Sequence, residues 1–250
     1  MVTKIGFFDS GIGGVTVLKE CIRLNPSFKY IYYSDSVNNP YGDKSREELI
    51  SITSNIVSKL IDMGCYIIVI ACNTASAICV DYLRDKYKDI CFIAIEPALK
   101  LVHDNDINSN TLIMATKGTV DSDRFRKLYS KYDNNHFYLL SCSGLANLIE
   151  DGNISAIKNY LESNLASYRG VVSSVVLGCT HYPLIKNEIR DVLGNVTFYD
   201  GALGVAQQLR KVILDNNFVG FDEFEIKFLD SSLSKVKEKR FWDILGGDYE

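Results

Sequence analysis

The chain has 250 residues, of which 47% are apolar, and a net charge of −4. That length suits one large domain or two small ones, with a core large enough to need no disulfide staples. The acidic balance argues against a general nucleic-acid binder, and no apolar run approaches the roughly 20 residues that span a bilayer.

Seven cysteines are present: Cys21, Cys65, Cys72, Cys79, Cys91, Cys142 and Cys179. No CxxC occurs among them, so the seven-residue spacing of Cys65, Cys72 and Cys79 is not read as a zinc site. The segment "MVTKIGFFDSG" reads as a strand entering a glycine turn rather than a secretory signal. A reduced, cytoplasmic compartment is expected.

In chain order, "KIGFFD" reads as a first strand, followed by a helix with Val17, Leu18, Cys21 and Ile22 on one stripe. "KYIYYSD" is a second strand. "SREELISITSNIVSKLIDMG" is a helix that Ser45 and Glu48 open as a capping box and Gly64 stops. "YIIVIA" is a continuous apolar run, as in a parallel strand covered on both faces. A helix and "CFIAI" complete a first half, and the polar stretch "HDNDINSNT" (103–111) is the expected crossing to a second.

The second half repeats the plan. The strand "TLIMAT" leads to a helix around 121–132, and "HFYLLS" leads to helices near 145–151 and 154–168. "SSVVLG" precedes a helix from Tyr182 to Leu193 that Gly194 stops. "VTFYD" precedes a helix over about 203–215. Strands alternating with helices predict parallel βα units. The basic run "KVKEKR" (235–240) is expected to be a solvated helix face.

The halves keep step: Asp9 and Cys72 are 63 residues apart, as are Thr116 and Cys179. The chain therefore reads as α/β, with two similar halves of mainly parallel sheet facing each other across a central cleft. Polar clusters fall where strands end, where open α/β sheets gather ligands: "DSGIGG" (9–14), "PYG" (40–42), "CNTAS" (72–76) and "CTH" (179–181). The glycine turn offers backbone amides suited to a carboxylate, but lacks the lysine of a phosphate loop. Cys72 and Cys179 each sit where a helix begins, a position that lowers a thiol pKa, and His181 is two residues from Cys179. Two thiols on opposite sides of a cleft suit inversion of a carbon stereocentre, with one removing a proton and the other returning one.

The segments "GFFDSGIGGVTVL", "PYGDKS", "ACNTASA", "ATKGTVDS", "LIE" and "LGCTHYPL" resemble the cofactor-independent glutamate racemases of bacteria, over nearly the whole chain. The resemblance implies interconversion of L- and D-glutamate for peptidoglycan synthesis, with neither metal nor pyridoxal phosphate. It implies Cys72 and Cys179 as the two bases, Asp9 assisting Cys72, and Glu150 and His181 beside Cys179. Asp9, Ser10, Tyr41, Gly42, Asn73, Thr74, Thr116, Thr180 and His181 would hold the substrate. Two α/β domains are implied, one of residues 1–95 plus 206–250 and the other of 96–205, in a homodimer. No nucleic-acid or membrane partner is expected.

Several positions depart from that pattern: Ser34 for a glycine, Asn38 for an arginine, Phe125 for a tyrosine and Ser143 for a proline. "YDG" near 200 and the tail beyond about 220 also differ. An aspartate or other amino-acid racemase is an alternative, as is a hydrolase using Cys179 with His181. The hydrolase would leave Cys72 without a task.

Overall fold

The computed structural model describes residues 2–133, 135–221 and 223–246. The first half contains β1 (Lys4–Asp9), α1 (Val15–Leu24), β2 (Lys29–Ser34), α2 (Arg46–Asp62), β3 (Cys65–Ile70), α3 (Asn73–Lys86) and β4 (Cys91–Ala94). Next come α4 (Leu99–Asn105), β5 (Thr111–Ala115), α5 (Lys117–Val120), α6 (Asp123–Tyr132), β6 (Phe137–Ser141), α7 (Leu145–Asp151) and α8 (Ile154–Leu165). After β7 (Ser174–Gly178), a 3-10 turn (Tyr182–Ile185) leads into α9 (Lys186–Leu193), then β8 (Thr197–Tyr199) and α10 (Ala202–Asp215). The tail adds β9 (Glu225–Asp230) and α11 (Lys235–Gly246).

Both sheets are parallel throughout. Their orders are β4-β3-β1-β2-β9 and β6-β5-β7-β8, so the arrangement 4-3-1-2 recurs as 8-7-5-6. The expected repeat of two α/β halves is present, with β9 as an addition at the β2 edge that the sequence patterning had not suggested. In each sheet the first and third strands of the repeat lie side by side. Their C-terminal ends form the switch point where ligands gather in open α/β sheets.

Strand register refines the equal spacing. From Ile5 onward, partners in β1 and β3 are 62 residues apart, as Phe8 is from Ile70, whereas those in β5 and β7 are 63 apart, as Ala115 is from Gly178. Cys72 therefore stands level with Ser10, and Cys179 with Thr116. The counterpart of Thr116 is Ser10 rather than Asp9.

The inner strands β1, β3, β5 and β7 bury both faces, which is why they read as apolar runs. Ile5, Phe7, Ile67 and Val69 point to α1, α10 and α11, while Phe8, Ile68 and Ile70 point to α2 and α3. In the second sheet, Leu112, Met114, Val175 and Leu177 face α7, α8 and α9, and Ile113 and Val176 face α4 and α6. Cys65 and Cys79 are core residues of the first sheet, and among the described residues no three His, Cys, Asp or Glu side chains group as a metal site. Among those residues, too, no helix is long and apolar enough to cross a membrane.

Both cap readings hold locally. Ser45 Oγ accepts from Glu48 N while the Glu48 carboxylate accepts from Ser45 N, and Gly64 and Gly194 take φ of +87° and +86°. The crossing lies earlier than expected. Ile95 packs in the first core and Ala98 in the second, so "HDNDINSNT" already lies on the second sheet. Apolar packing of α4 outweighs the polar character of its last turn.

The tail returns to the first sheet through Phe241. Its fully buried ring lies 4.3 Å from Phe228 and 5.2 Å from Tyr32. The last four residues of the 206–250 assignment, 247–250, lie outside the described residues. Phe241→Ala is expected to cost about 3–5 kcal/mol, the usual range for emptying an aromatic core site, measured by urea unfolding. An unchanged unfolding midpoint would contradict this docking of α11.

Candidate active site

Segments that follow six strands, β1, β2 and β3 of the first sheet and β5, β6 and β7 of the second, converge on one cavity between the sheets. Ten of the twelve expected residues line it: Ser10, Tyr41, Gly42, Cys72, Asn73, Thr74, Thr116, Cys179, Thr180 and His181. Asp9 and Glu150 do not; both lie behind it as buried carboxylates. The halves touch around the cavity, with Thr74 Oγ1 2.8 Å from Thr116 Oγ1 and Thr180 donating to Asp9 at 3.2 Å. A Cβ on Gly118 would come within 3.0 Å of the Gly42 carbonyl oxygen.

Cys72 is the N-cap of α3 and Cys179 follows β7 directly, so both thiols stand at strand ends across one cavity. Their surroundings differ. Cys72 Sγ lies 3.8 Å from Ser10 Oγ. Burial, followed by the nearby Asp9 charge, pushes the Cys72 thiol well up, against the pull of the Ala75 amide and the Ser10 hydroxyl. Asp9 acts on Cys72 by charge, because its carboxylate is taken up by Gly14 N at 2.6 Å and by Thr180. Burial pushes Asp9 up as well, and the His181 charge and the Gly14 amide pull it back.

On the other side, Cys179 Sγ lies 3.8 Å from His181 Nδ1, and His181 Nε2 lies 2.7 Å from Glu150 Oε2. Glu150 Oε2 also accepts from Ile12 N at 3.1 Å, and the Lys237 ammonium stands 3.0 Å from Oε1. Burial alone would raise Glu150, but His181, Lys237 and the Ile12 amide outweigh it and hold the carboxyl down to about 2. Burial likewise opposes a charged His181, yet its contacts with Cys179 and Glu150 raise it well above its ordinary value.

The glycine turn "DSGIGG" does bind carboxylates, but they are the chain's own: Gly14 N holds Asp9 and Ile12 N holds Glu150. Its glycines are demanded by contact. A Cβ on Gly11 would meet Glu150 Oε2 at 2.4 Å, and one on Gly13 would meet His181 Nδ1 at 2.6 Å. Of this turn, only Ser10 lines the cavity.

Asn73 is buried, and neither its amide nitrogen nor its oxygen finds a hydrogen-bond partner among the described residues. Tyr41 is placed by Asp35, which accepts from its hydroxyl at 2.6 Å and from the Asn38 amide at 3.0 Å. Asn38 thus occupies its departure position by holding Asp35. Ser34 contacts Ser36, which donates to Asp230 on β9. Phe125 is buried in the α4–α6 core away from the cavity.

The sequence reading missed two groups. Cys142, Ser143, Gly144 and Asn147 also line the cavity. They follow β6, so the strand-end rule applied to "SCSG" would have found them. The solvated-face expectation for "KVKEKR" holds for Lys235, Val236 and Lys239, which are exposed, but not for Lys237 and Arg240. Lys237 pairs with Glu150, and Arg240 donates to the carbonyl oxygens of Ile149 (2.6 Å) and Glu150. A linear sequence carries no signal that a tail helix will cross to α7.

A family model described as "Asp/Glu/Hydantoin racemase" matches residues 18–209. The chain is 42% identical over 224 residues to a glutamate racemase of Clostridium botulinum, covering 88% of this chain and 87% of the relative. It is 39% identical over 237 residues to one of Clostridium acetobutylicum, covering 93% and 90%. Among solved structures, glutamate racemase from Francisella tularensis in complex with D-glutamate superposes with a TM-score of 0.81 at 29% identity, covering 97% of this chain and 93% of that one. The fold and site define an α/β enzyme of two parallel sheets with a thiol from each half lining one cavity, and the chain belongs to the Asp/Glu/hydantoin racemase family.

The Glu150–His181 pair makes stability depend on pH. The depressed carboxyl stabilises the fold above its ordinary value of 4.5, and this is lost as pH falls towards 2. The raised imidazole stabilises it below its ordinary 6.5, and this is lost as pH rises through the folded-state value. Glu150→Gln is therefore expected to destabilise the protein most between these two ordinary values, compared with wild type by denaturant unfolding across pH. A stability gap that does not vary with pH would count against the charged pair.

Proposed function

We propose that this chain is a glutamate racemase in which Cys72 and Cys179 transfer protons on opposite faces of the α-carbon of glutamate. One observation carries the reading: two thiols at equivalent strand ends of a repeated fold line the same cavity. The roughly 40% identity to curated glutamate racemases supports glutamate as the substrate.

In one direction, the Cys179 thiolate takes the α-proton of L-glutamate and the Cys72 thiol delivers a proton to the other face. In reverse the roles exchange, with Cys72 taking the proton of D-glutamate. After each turnover the two sulfurs have swapped protonation states, so the site is ready for the opposite enantiomer. His181 places its charge 3.8 Å from the Cys179 sulfur, and Glu150 keeps that histidine protonated. Asp9 holds the glycine turn and sets the field at Cys72.

Ser10, Thr74, Thr116 and Thr180 offer hydroxyls, and Asn73 an unspent amide, to the carboxylates and ammonium of the substrate. Tyr41 and Gly42 close the loop over it. The chemistry needs neither metal nor pyridoxal phosphate. The same resemblance supports a homodimer working in the cytoplasm, to be checked by light scattering and by fractionation.

Circular dichroism of pure L-glutamate, and separately of D-glutamate, is expected to decay to zero with the protein alone, including after dialysis against EDTA. Cys72→Ser and Cys179→Ser are each expected to lower racemisation by about 10²–10⁴-fold, the range for losing a general acid or base. Elimination of HCl from the two enantiomers of threo-3-chloroglutamate needs abstraction but no reprotonation. The two variants should keep opposite preferences there, Cys72→Ser for the L form and Cys179→Ser for the D form. The same preference in both, or near-normal racemisation by either, would sink the two-thiol reading.

A further inference from the structure

α11 belongs to the first sheet by its packing, through buried Phe241 and Ile244. Lys237 lies one helical turn before Phe241, and Arg240 beside it, so these residues share the inward face. That face reaches the second half of the molecule. Arg240 donates to the carbonyl oxygens of Ile149 and Glu150 at the end of α7, fixing the backbone of Glu150. Lys237 meets Glu150 Oε1, while Oε2 is committed to Ile12 N and His181. The Glu150 side chain is 3% exposed and that of Lys237 26%, so the pair is sheltered from solvent screening on its acidic side.

We propose that Lys237 is a positioning residue for the Cys179 half of the reaction, cancelling the charge of Glu150 so that the His181 imidazolium remains an uncompensated positive charge beside the sulfur. The inference rests on the roles given to Cys179 and His181 above. It follows from charge counting. Lys237, Glu150 and His181 together carry +1, whereas without Lys237 they carry none, and a thiolate at Cys179 loses its counter-charge. Among the described residues, the other charged or titratable groups facing Glu150 and His181 are Asp9 at the end of β1, Tyr32 on β2 and Arg240 on α11. Asp9 adds negative charge, and Arg240 is spent on main-chain carbonyls, so neither replaces Lys237. Lys237 lies beyond the residues matched by the family model, which end at 209.

The test uses the full-length protein with Lys237→Met and Lys237→Arg, and Lys237→Gln should the Met variant not fold. The rate constant kcat/KM is followed across pH from both enantiomers, which must agree because L- and D-glutamate have equal free energies. Loss of the charge is expected to lower kcat/KM about tenfold near neutral pH and to move the acid limb up by about one pH unit, with recovery at higher pH. Elimination from L-threo-3-chloroglutamate, which faces Cys179, should fall more than from the D form. Lys237→Arg should restore most of the activity.

A wild-type profile in Lys237→Met would overturn the proposal. So would a loss of racemisation uniform across pH with elimination falling equally from the two chloroglutamate enantiomers, or an Arg variant as impaired as the Met variant. His181→Asn separates this from the underlying reading. If His181→Asn racemises normally, the role given to His181 has failed; if it is impaired while Lys237→Met is not, only Lys237 has been misjudged.

Discussion

The structure turns on one buried charge. Glu150 sits at the seam between the two sheets, and an unpaired carboxylate there would be strongly destabilising. Its partners arrive from three directions: the Ile12 amide from the turn after β1, His181 from the segment after β7, and Lys237 from the tail helix. Gly11 and Gly13 are small because Glu150 and His181 occupy the space a side chain would need. The same charge thus shapes the turn, ties the layers together and holds the histidine beside Cys179.

Around this seam, a repeated fold meets a reaction with two nearly equivalent halves. The proposed two-thiol reaction needs a proton-transfer group on each face, and the recurring order of strands provides two equivalent strand ends where the thiols stand. The equivalence stops at the thiols. Cys72 has a serine hydroxyl and the field of Asp9, while Cys179 has a histidine backed by a carboxylate. The single-residue difference in strand offset marks the same asymmetry, since it sets Ser10 opposite Thr116 and leaves Asp9 level with Ala71, one residue short of Cys72.

Positions that depart from the family pattern are absorbed locally. Asn38 and Tyr41 share the Asp35 carboxylate, which fixes the loop over the cavity. Ser34 joins a chain of hydroxyls that leads to Asp230 on β9, so the residue at the end of β2 helps to seat the added edge strand. Ser143 alone among the four lies on the cavity wall.

Local periodicity was enough to place most elements, because apolar runs of strand length and amphipathic stripes report burial directly. It also located both thiols, since each follows an apolar strand, although only Cys72 caps a helix; Cys179 lies in a bend ahead of the 3-10 turn that His181 opens. Other features depended on contacts distant in sequence. The glycine turn looked like a ligand site, yet its amides serve Asp9 and Glu150. "KVKEKR" looked like a solvent-facing stripe, yet Phe241 docks its helix so that Lys237 reaches a carboxylate 87 residues earlier. Short-range pattern records which residues prefer burial and how the chain bends. Which buried charge meets which counter-charge is decided only when separate segments compete for the same space and the same hydrogen bonds.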